Sequence, residues 1–430
     1  MLFPATGVRE IRNAATIANF PLADPRPGAD DWPWWGGADG KNVANSDRIP
    51  LTWSADENDG WQVPITGHGI ASPSLWGEQL FLLTADKSSQ RISIHSHSRS
   101  TGRAIWKTDL HHGTAYQREE QSFCASTSPV CDGQYVYTST HFHDSIWLTA
   151  VDLKGQIAWQ NEVGPFRSQS EYRSSPTLFR SLIILVADQE TGSYITALHR
   201  QTGEVIWRIK RPNGDSSGTP VIGTIAGKPQ LIVCGKGTII SYHPGTGEKF
   251  WTYHWPCERA ANSVAFDGEH IFATSKSPNA EIVCIKGDAS GDLGKSHEVW
   301  RQRQVSCERP SPVHQAGLLY VLEDEGRLTC FDSKTGKVEW RMPLPGVFTT
   351  SPVIAGKHLI CSNESGCTYV VQTGLAGTIV SENSLSKGIC ASPIIAGESI
   401  YLRTQDSLHR ILSQSSGPVA EKRDASKRRL

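Results

Sequence analysis

A short cassette of strand, turn and strand recurs along most of this chain, and it restricts the fold more than any other feature. Its clearest copy spans 328–340, where an apolar stretch reaches Asp332, a Thr335-Gly336 turn follows, and the copy closes on Trp340. Glycine accepts the positive φ that such a turn requires. Self-similarity at a period of about 20–50 residues is typical of repeat architectures, so we predict one repeat array.

Two anchors align the copies of the cassette. One is a closing aromatic residue at intervals of 40 to 53 residues, with Val380 in the eighth slot; its members are Trp53, Trp106, Trp159, Trp207, Trp251, Trp300 and Trp340. The other is a small residue followed by proline, which opens a strand. These pairs begin at Ser72, Ser128, Ser175, Thr219, Ser311, Ser351 and Ser392, and Ser263-Val264 is the degenerate member.

The anchors predict eight units of about four short strands each, which is the pattern of a β-propeller. In the sixth unit the predicted strands are 311–313, 318–322, 327–332 and 337–341. The last unit, 392–412, supplies only three strands. We therefore predict an all-β fold, a single eight-bladed β-propeller of four-stranded antiparallel blades, closed by an N-terminal strand at 50–53 that completes the last blade. Such a clasp removes the free edge of an open array.

The seven tryptophans are predicted to dock one blade on the next. Each offers a large flat apolar surface, and burying such a side chain contributes about 1.5–3 kcal/mol. We therefore interpret them as structural residues and not as a platform for sugars or bases. Binding residues are expected on the loops instead.

The segments outside the repeats differ in composition from the propeller, which we predict over 31–412. Residues 1–30 are polar and aperiodic, and we expect a flexible lead; 413–430 is expected to be a disordered basic tail. Between them, 31–42 carries three tryptophans in four residues, so this segment should dock on the folded body. No signal peptide is visible at the N-terminus, and no apolar run approaches the roughly 18–20 residues of a membrane span.

Charge and cysteine content set further limits. The formal net charge is -1, which gives no reason to expect nucleic acid as a partner, and we expect a monomer. None of the ten cysteines forms a CxxC pair. Most lie within apolar strand patterns and are predicted to be small buried side chains, with a few disulfides as the alternative in an exported protein.

Long connections identify the candidate binding face. The connections 54–71, 107–127 and 160–174 exceed the others in length, which predicts an elaborated face above blades 1–3. Charged residues precede several inner strands and are predicted to surround the channel mouth. They either form mutual ion pairs or bind an anion or carboxylate through the arginine forks. They are Arg167, Glu171, Arg173, Glu258, Arg259, Glu308 and Arg309.

A histidine pair in the second unit is the remaining candidate. His141, His143 and Asp144 are predicted to lie in a loop on the same face, where they could bind a ligand. Spacing fixes no third or fourth metal ligand, so we predict no metal site. No Ser/His/Asp arrangement is tied to a motif, so we name no catalytic residue.

The repeats resemble the tryptophan-docking repeat of PQQ-type propellers. The resemblance rests on 330–340, 197–207 and 242–251, each with a Thr-Gly turn followed by a closing tryptophan, and it covers about 49–412. The segments 31–36 and 164–176 look like a BamB-like subgroup of unknown activity. WD-repeat and kelch blades look different, since no recurring Trp-Asp ending or paired glycine is present.

The resemblance implies two opposite functions. Quinoprotein dehydrogenases bind PQQ and calcium, and many carry two adjacent cysteines, which this chain lacks. BamB-like propellers bind protein in the cell envelope without PQQ, although no lipobox is visible here. We expect a non-catalytic scaffold that binds a protein or envelope component in the periplasm or envelope, with no cofactor. The alternatives are a PQQ-dependent dehydrogenase with divergent ligands and a small-molecule or glycan-binding propeller.

Overall fold

Eight four-stranded blades surround a central channel in the computed structural model of this protein. The structure describes residues 9–12, 22–54, 60–113, 125–168 and 170–412. Within each blade the strands are antiparallel neighbours in chain order, with the first strand innermost. The predicted all-β, eight-bladed propeller is confirmed.

Blades 1 to 4 occupy the first half of the ring. Their outer strands are six to nine residues long. The strands of blades 1 and 2 are Ser74–Trp76, Gln79–Asp86, Arg91–Ser98, Ala104–His112, Val130–Cys131, Tyr135–Phe142, Ser145–Asp152 and Ile157–Pro165. The strands of blades 3 and 4 are Thr177–Phe179, Leu182–Ala187, Tyr194–His199, Val205–Lys210, Val221–Ile225, Lys228–Gly235, Thr238–Tyr242 and Lys249–His254.

Blades 5 to 8 complete the ring. Two strands of blade 6 match the predicted bounds, and the other two begin one or two residues later. The strands of blades 5 and 6 are Ala265–Phe266, His270–Ser275, Glu281–Lys286, Glu298–Arg303, Val313–Gln315, Leu318–Leu322, Arg327–Asp332 and Val338–Pro343. The strands of blades 7 and 8 are Val353–Ala355, His358–Ser362, Cys367–Gln372, Ile379–Ser384, Ile394–Ala396, Ser399–Arg403, Ser407–Leu412 and the N-terminal Trp61–Pro64.

Three blades carry a fifth strand that the repeat pattern does not predict. Ile11–Arg12 pairs antiparallel with the outer strand of blade 3, and Val43–Ala44 pairs parallel with the inner strand of blade 7. Gly291–Leu293, which precedes a 3-10 turn at Lys295–His297, pairs parallel with the outer strand of blade 4. These additions cover strand edges that would otherwise expose unpaired N–H and C=O groups.

The predicted clasp exists, but its strand was placed wrongly. Trp61–Pro64 pairs with Ser407–Leu412 and completes blade 8, whereas 50–53 forms no strand. Trp53 is instead buried in the core shared by blades 7, 8 and 1, and its backbone N–H donates to the Asn383 side chain at 2.7 Å. Trp53 and Trp61 lie eight residues apart. The interval between successive closing aromatic residues varies by more than eight residues, so spacing cannot show which of the two belongs to the closing strand.

The outer tryptophans contact the next blade in a recurring geometry. The Trp300 ring lies against Gly336, where an added Cβ would come within 2.5 Å of the ring, and its Nε1–H donates to the Ser333 carbonyl at 2.9 Å. The same glycine contact is made by Trp61, Trp106, Trp159, Trp207 and Trp340 with Gly102, Gly155, Gly203, Gly247 and Gly377. Trp251 is fully buried, but its Nε1–H donates to Gln230 within its own blade at 3.0 Å.

The Ser/Thr-Pro anchors form a second set of joints at the channel. The Ser311 backbone N–H donates to the Ser351 hydroxyl at 2.9 Å, and the Ser351 N–H donates to the Ser392 hydroxyl at 2.8 Å. Bonds from a backbone N–H to a hydroxyl join five of the eight neighbouring pairs of anchors, and bonds from a hydroxyl to a backbone carbonyl join two more. We call the eight residues Ser72, Ser128, Ser175, Thr219, Ser263, Ser311, Ser351 and Ser392 the hydroxyl collar.

The tryptophan-rich N-terminal segment crosses one end of the channel. Trp32 exchanges two backbone hydrogen bonds with Leu75 on the inner strand of blade 1, at 2.8 and 3.0 Å. Trp35 lies against the core of blades 4 and 5, and 43–44 reaches blade 7. The prediction that this segment docks agrees with these contacts. The described parts of the predicted lead, 9–12 and 22–30, also contact blade 3, while 413–430 lies outside the described residues.

Arg403 links blade 8 to blade 1, where the two chain ends meet. Its side chain is 2% exposed, and it donates to the Ala71 and Leu83 carbonyls at 2.9 Å each. In the described part of the chain no carboxylate forms an ion pair with this guanidinium, and its burial lowers the pKa of Arg403. Gly69 leaves the space that the guanidinium needs, since an added Cβ would lie 2.5 Å from Nη2.

We predict that Arg403→Met lowers the free energy of unfolding by about 3 kcal/mol, because two charge-assisted bonds are lost and two buried carbonyls lose their donor. Urea unfolding measures this loss. Arg410→Met is the control, since Arg410 is partly buried on the same blade, donates to the Ser399 hydroxyl of its own blade at 3.0 Å, and bonds the Arg99 and Ser100 carbonyls of blade 1 at only 3.4–3.5 Å. We expect less than about 1 kcal/mol there. Equal losses in the two variants would contradict the closure role of Arg403.

Candidate functional site

A polar cavity of about 690 Å³ occupies the channel. It opens on the face formed by the connections between blades and by the turns between second and third strands. The hydroxyl collar forms much of its wall, and Trp35 of the N-terminal segment lines its inner end. Because that segment crosses the opposite end of the channel, we call this space the blind cavity.

Five of the nine predicted binding residues line the blind cavity. They are Glu171, Arg173, Arg259, Glu308 and Arg309. Arg167, Glu258, His141 and His143 do not line it; they lie nearby on the same side of the ring. Glu258 is held by Ser277, whose hydroxyl donates to the carboxylate at 2.5 Å and whose carbonyl accepts the Glu258 N–H at 2.9 Å.

Each cavity arginine lies close to a carboxylate. Arg173 contacts Glu171 at 3.3 Å, and Arg259 lies 3.8 Å from Glu308 and 3.7 Å from Asp215. Arg309 lies 3.8 Å from Glu364 on the turn of blade 7. Three arginines and three glutamates line the cavity, so their formal charges cancel.

Buried polar side chains from the neighbouring turns hold in place the charged residues at the cavity mouth, which we call the rim. Asp324 accepts the backbone N–H groups of Glu308 and Arg309 at 3.0 and 3.1 Å, and it lies 3.8 Å from the Lys276 ammonium. On the other side, Gln189 accepts the Arg167 N–H at 2.6 Å. Neither residue was predicted, because each supports a loop that is distant in the sequence.

The loops above blades 1–3 are shorter than predicted. The outer strand of blade 1 extends to His112, and that of blade 2 extends to Pro165. Trp61–Pro64 likewise lies within the predicted connection 54–71. Residues 55–59, 114–124 and 169, which belong to these predicted connections, lie outside the described residues. The outer strands of blades 1 and 2 are longer than predicted because they continue to hydrogen-bond to the third strand of the same blade. Local sequence does not show how far this pairing extends.

The histidine candidates occupy a hairpin and not an open loop. His141 belongs to the strand Tyr135–Phe142; its ring is buried, and Nε2 lies 3.1 Å from the Phe166 carbonyl. His143 and Asp144 form the turn, each with positive φ, and the His143 ring stands edge-on to Phe142 at 4.1 Å. Asp144 lies 4.0 Å from Arg167.

Sequence reasoning missed three contributors to the blind cavity. Trp35 was predicted to dock but not to line a site, and the hydroxyl collar was interpreted only as a strand-opening signal. Glu364 and Gln405 lie on turns between second and third strands, and no motif distinguishes them. The recurrence of a hydroxyl at every strand opening was the one signal available.

The cysteines are mostly inaccessible. Among the described residues eight thiols are buried, Cys390 at the cavity wall is partly buried, and no disulfide is formed. Burial raises the pKa of Cys390, although the nearby Arg403 opposes this effect. A raised pKa disfavours the thiolate, so this thiol is a poor nucleophile at neutral pH. Cys124 lies outside the described residues.

Comparison with known proteins identifies the family. The family model of the outer membrane protein assembly factor BamB, which consists of PQQ-type repeats, matches residues 37–191, 96–274 and 289–376. These matches together span well over half of the chain. The chain belongs to the BamB family of PQQ-repeat propellers.

Individual relatives are distant. The outer membrane protein assembly factor BamB of Yersinia pestis is 21% identical over 326 residues, which make up 71% of this chain and 76% of that protein. The crystal structure of BamB from Moraxella catarrhalis aligns with a TM-score of 0.60 at 13% identity, covering 83% of this chain and 98% of that chain. Quinohemoprotein alcohol dehydrogenase from Comamonas testosteroni aligns with a TM-score of 0.65 at 14% identity, over 90% and 82%. These two structural likenesses show the fold alone.

Among the described residues, the blind cavity offers PQQ no arginine that is free of a carboxylate of this chain. PQQ carries three carboxylates, whereas every cavity arginine already lies within 4 Å of a carboxylate of this chain. Among the described residues no group of three or more His, Cys, Asp or Glu side chains is placed to hold a metal ion. In the same residues no helix has the length and apolar character needed to cross a bilayer.

Two buried histidines beneath the open face give the protein a defined pH response. The His95 ring is 6% exposed and bonds Thr84 at 2.8 Å; burial, with a smaller effect of Lys107, lowers the pKa of His95 to about 3. His111 bonds Thr140 at 2.8 Å, and burial, aided by His143, lowers the pKa of His111 to about 4. Both rings are therefore neutral in the folded protein at neutral pH.

We predict that the free energy of unfolding falls as the pH drops below about 6.5. Below this pH the histidines of the unfolded chain bind protons, whereas the buried His95 and His111 rings of the folded chain stay neutral. The stabilisation is complete above pH 6.5 and is lost progressively down to the folded pKa values, by about 1.4 kcal/mol per pH unit for each histidine. Urea unfolding between pH 7.5 and 5 measures the slope. His95→Gln should reduce the slope by the share of one histidine, since His111 and the buried His409, whose pKa burial lowers to about 4, still contribute, while replacing the exposed His112 should leave it unchanged; equal slopes in all three proteins would contradict the assignment.

Proposed function

We propose that this BamB-family propeller is a non-catalytic binding protein that holds a protein partner on its open face. The surface extends from the loops above blades 1–3 across the mouth of the blind cavity to Arg309. This proposal rests on the difference between the two ends of the channel. One end is crossed by the N-terminal segment, so the other is the end at which a partner can reach the channel.

The rim supports binding by exchange of ion pairs. Arg173 is 42% exposed while its partner Glu171 is 8% exposed, and Arg259 and Arg309 are exposed to a similar extent. The guanidinium groups of Arg173 and Arg259 thus face solvent above more buried carboxylates, whereas Arg309 and Glu364 are about equally exposed. Arginine is enriched at protein interfaces, and charged rims contribute more to specificity and association rate than to affinity.

The names of the relatives suggest which kind of partner to test. They are outer membrane protein assembly factors, so we propose that the partner is a protein of outer-membrane assembly and that this chain acts in the cell envelope. The proposed interface is on the side opposite to the turns that join first to second strands and third to fourth strands.

The test uses charge reversal on opposite faces of the ring. We predict that Arg173→Glu combined with Arg309→Glu reduces photocrosslinking to an outer-membrane assembly protein by at least about tenfold, because two exposed guanidinium groups become carboxylates. The crosslinker is placed at Lys236, an exposed residue in the turn between the second and third strands of blade 4 on the open face, and the product is identified by mass spectrometry from cells of the native host.

The matched control reverses two exposed lysines on the opposite face, with Lys334→Glu and Lys357→Glu. This variant should crosslink as the unchanged protein does. Equal reduction by both double variants, or crosslinking confined to a reporter beside Lys334, would overturn the proposed face. Saturable binding of PQQ with calcium, together with dye-linked oxidation of an alcohol or sugar, would overturn the non-catalytic assignment.

A further inference from the structure

The blind cavity contains hydrogen-bond donors that the fold leaves unused. Five hydroxyls of the collar already accept a backbone N–H from the neighbouring blade, at 2.8 to 3.1 Å. A hydroxyl has one donor and two acceptor positions, so each O–H is still available. Within the described residues no acceptor receives these protons. The five are Ser175, Thr219, Ser311, Ser351 and Ser392.

Trp35 adds an aromatic surface and another donor. Its side chain is partly buried and lines the inner end of the cavity. In the described part of the chain its Nε1–H has no acceptor. The Trp35 indole differs from the outer tryptophans, because it contacts the cavity and not the turn of a neighbouring blade.

Charge disfavours an ionic ligand. The three arginines and three glutamates that line the cavity are close enough to neutralise one another. Moving an ion from water into the cavity would cost hydration without a net opposite charge to offset it. The unused groups are neutral hydroxyls, and the volume of about 690 Å³ lies within the range of about 300–1,000 Å³ of small-molecule sites.

We propose that the blind cavity binds a neutral saccharide. Sugar hydroxyls accept and donate hydrogen bonds, as the collar does, and the C–H faces of pyranose rings are apolar surfaces that pack on an indole. The hydroxyl collar would hold the sugar oxygens, while Trp35 supplies the flat base. The sugar site lies deeper in the cavity than the rim that binds the protein partner in the proposed function, and it does not depend on that function.

The experiment measures binding of neutral sugars to the full-length protein. The probes are glucose, maltose, cellobiose, trehalose and the disaccharide of N-acetylglucosamine, tested by saturation-transfer NMR and by titration calorimetry. We expect saturable one-to-one binding of at least one of them. Ala261→Trp, which fills the cavity without removing a collar hydroxyl, should weaken it at least about tenfold.

Two further variants separate binding from folding. Leu375→Trp places the same bulk at a site that is 72% exposed and outside the cavity, and it should bind as the unchanged protein does. Trp35→Leu should weaken binding, and its thermal midpoint shows whether the fold is kept. If none of the sugars binds, if Ala261→Trp and Leu375→Trp bind equally well, or if only anions such as citrate bind, the proposal is overturned.

Discussion

Docking of each blade on its neighbour is the interaction on which this structure depends. A four-stranded blade has two apolar faces and cannot bury them alone, so stability comes from the joints. The joints have two recurring parts. On the outside a tryptophan ring lies on a turn glycine of the next blade, as Trp300 does on Gly336. At the channel a backbone N–H donates to a hydroxyl of the next blade, as Ser311 does to Ser351.

The last joint requires the two ends of the chain to meet, and this requirement shapes the rest of the molecule. Trp61–Pro64 completes blade 8, and Arg403 bonds to blade 1 across the closure. To reach blade 8 the N-terminal segment crosses the channel, where Trp35 lines the end of the cavity. Closure of the ring therefore makes the two ends of the channel different. The proposed protein and sugar sites are both reached from the end that stays open.

The parts of the fold that repeat could be predicted from the sequence, and the parts that occur once could not. The Ser-Pro and tryptophan anchors gave eight blades and the bounds of Leu318–Leu322 and Arg327–Asp332. The closing strand was predicted at Trp53, but Trp61 lies only eight residues later, and spacing alone does not distinguish the two. The added strand at 43–44 and the pairing of Arg309 with Glu364 depend on contacts between distant residues. For the candidate site, sequence order indicated five residues of the cavity, including the carboxylates of Glu171 and Glu308, but not the partner Glu364 or the unused hydroxyls.

The most direct test of the blade-docking account compares two glycines with the same backbone conformation. Gly336 has φ +69° and lies against the Trp300 ring, whereas Gly237 has φ +70° with nothing within 4 Å of an added Cβ. Alanine at Gly237 should cost about 1–2 kcal/mol of unfolding free energy, from the left-handed conformation alone. Alanine at Gly336 should cost at least about 2 kcal/mol more, because the methyl group separates the two blades. Equal losses in the two variants would contradict docking as the source of stability.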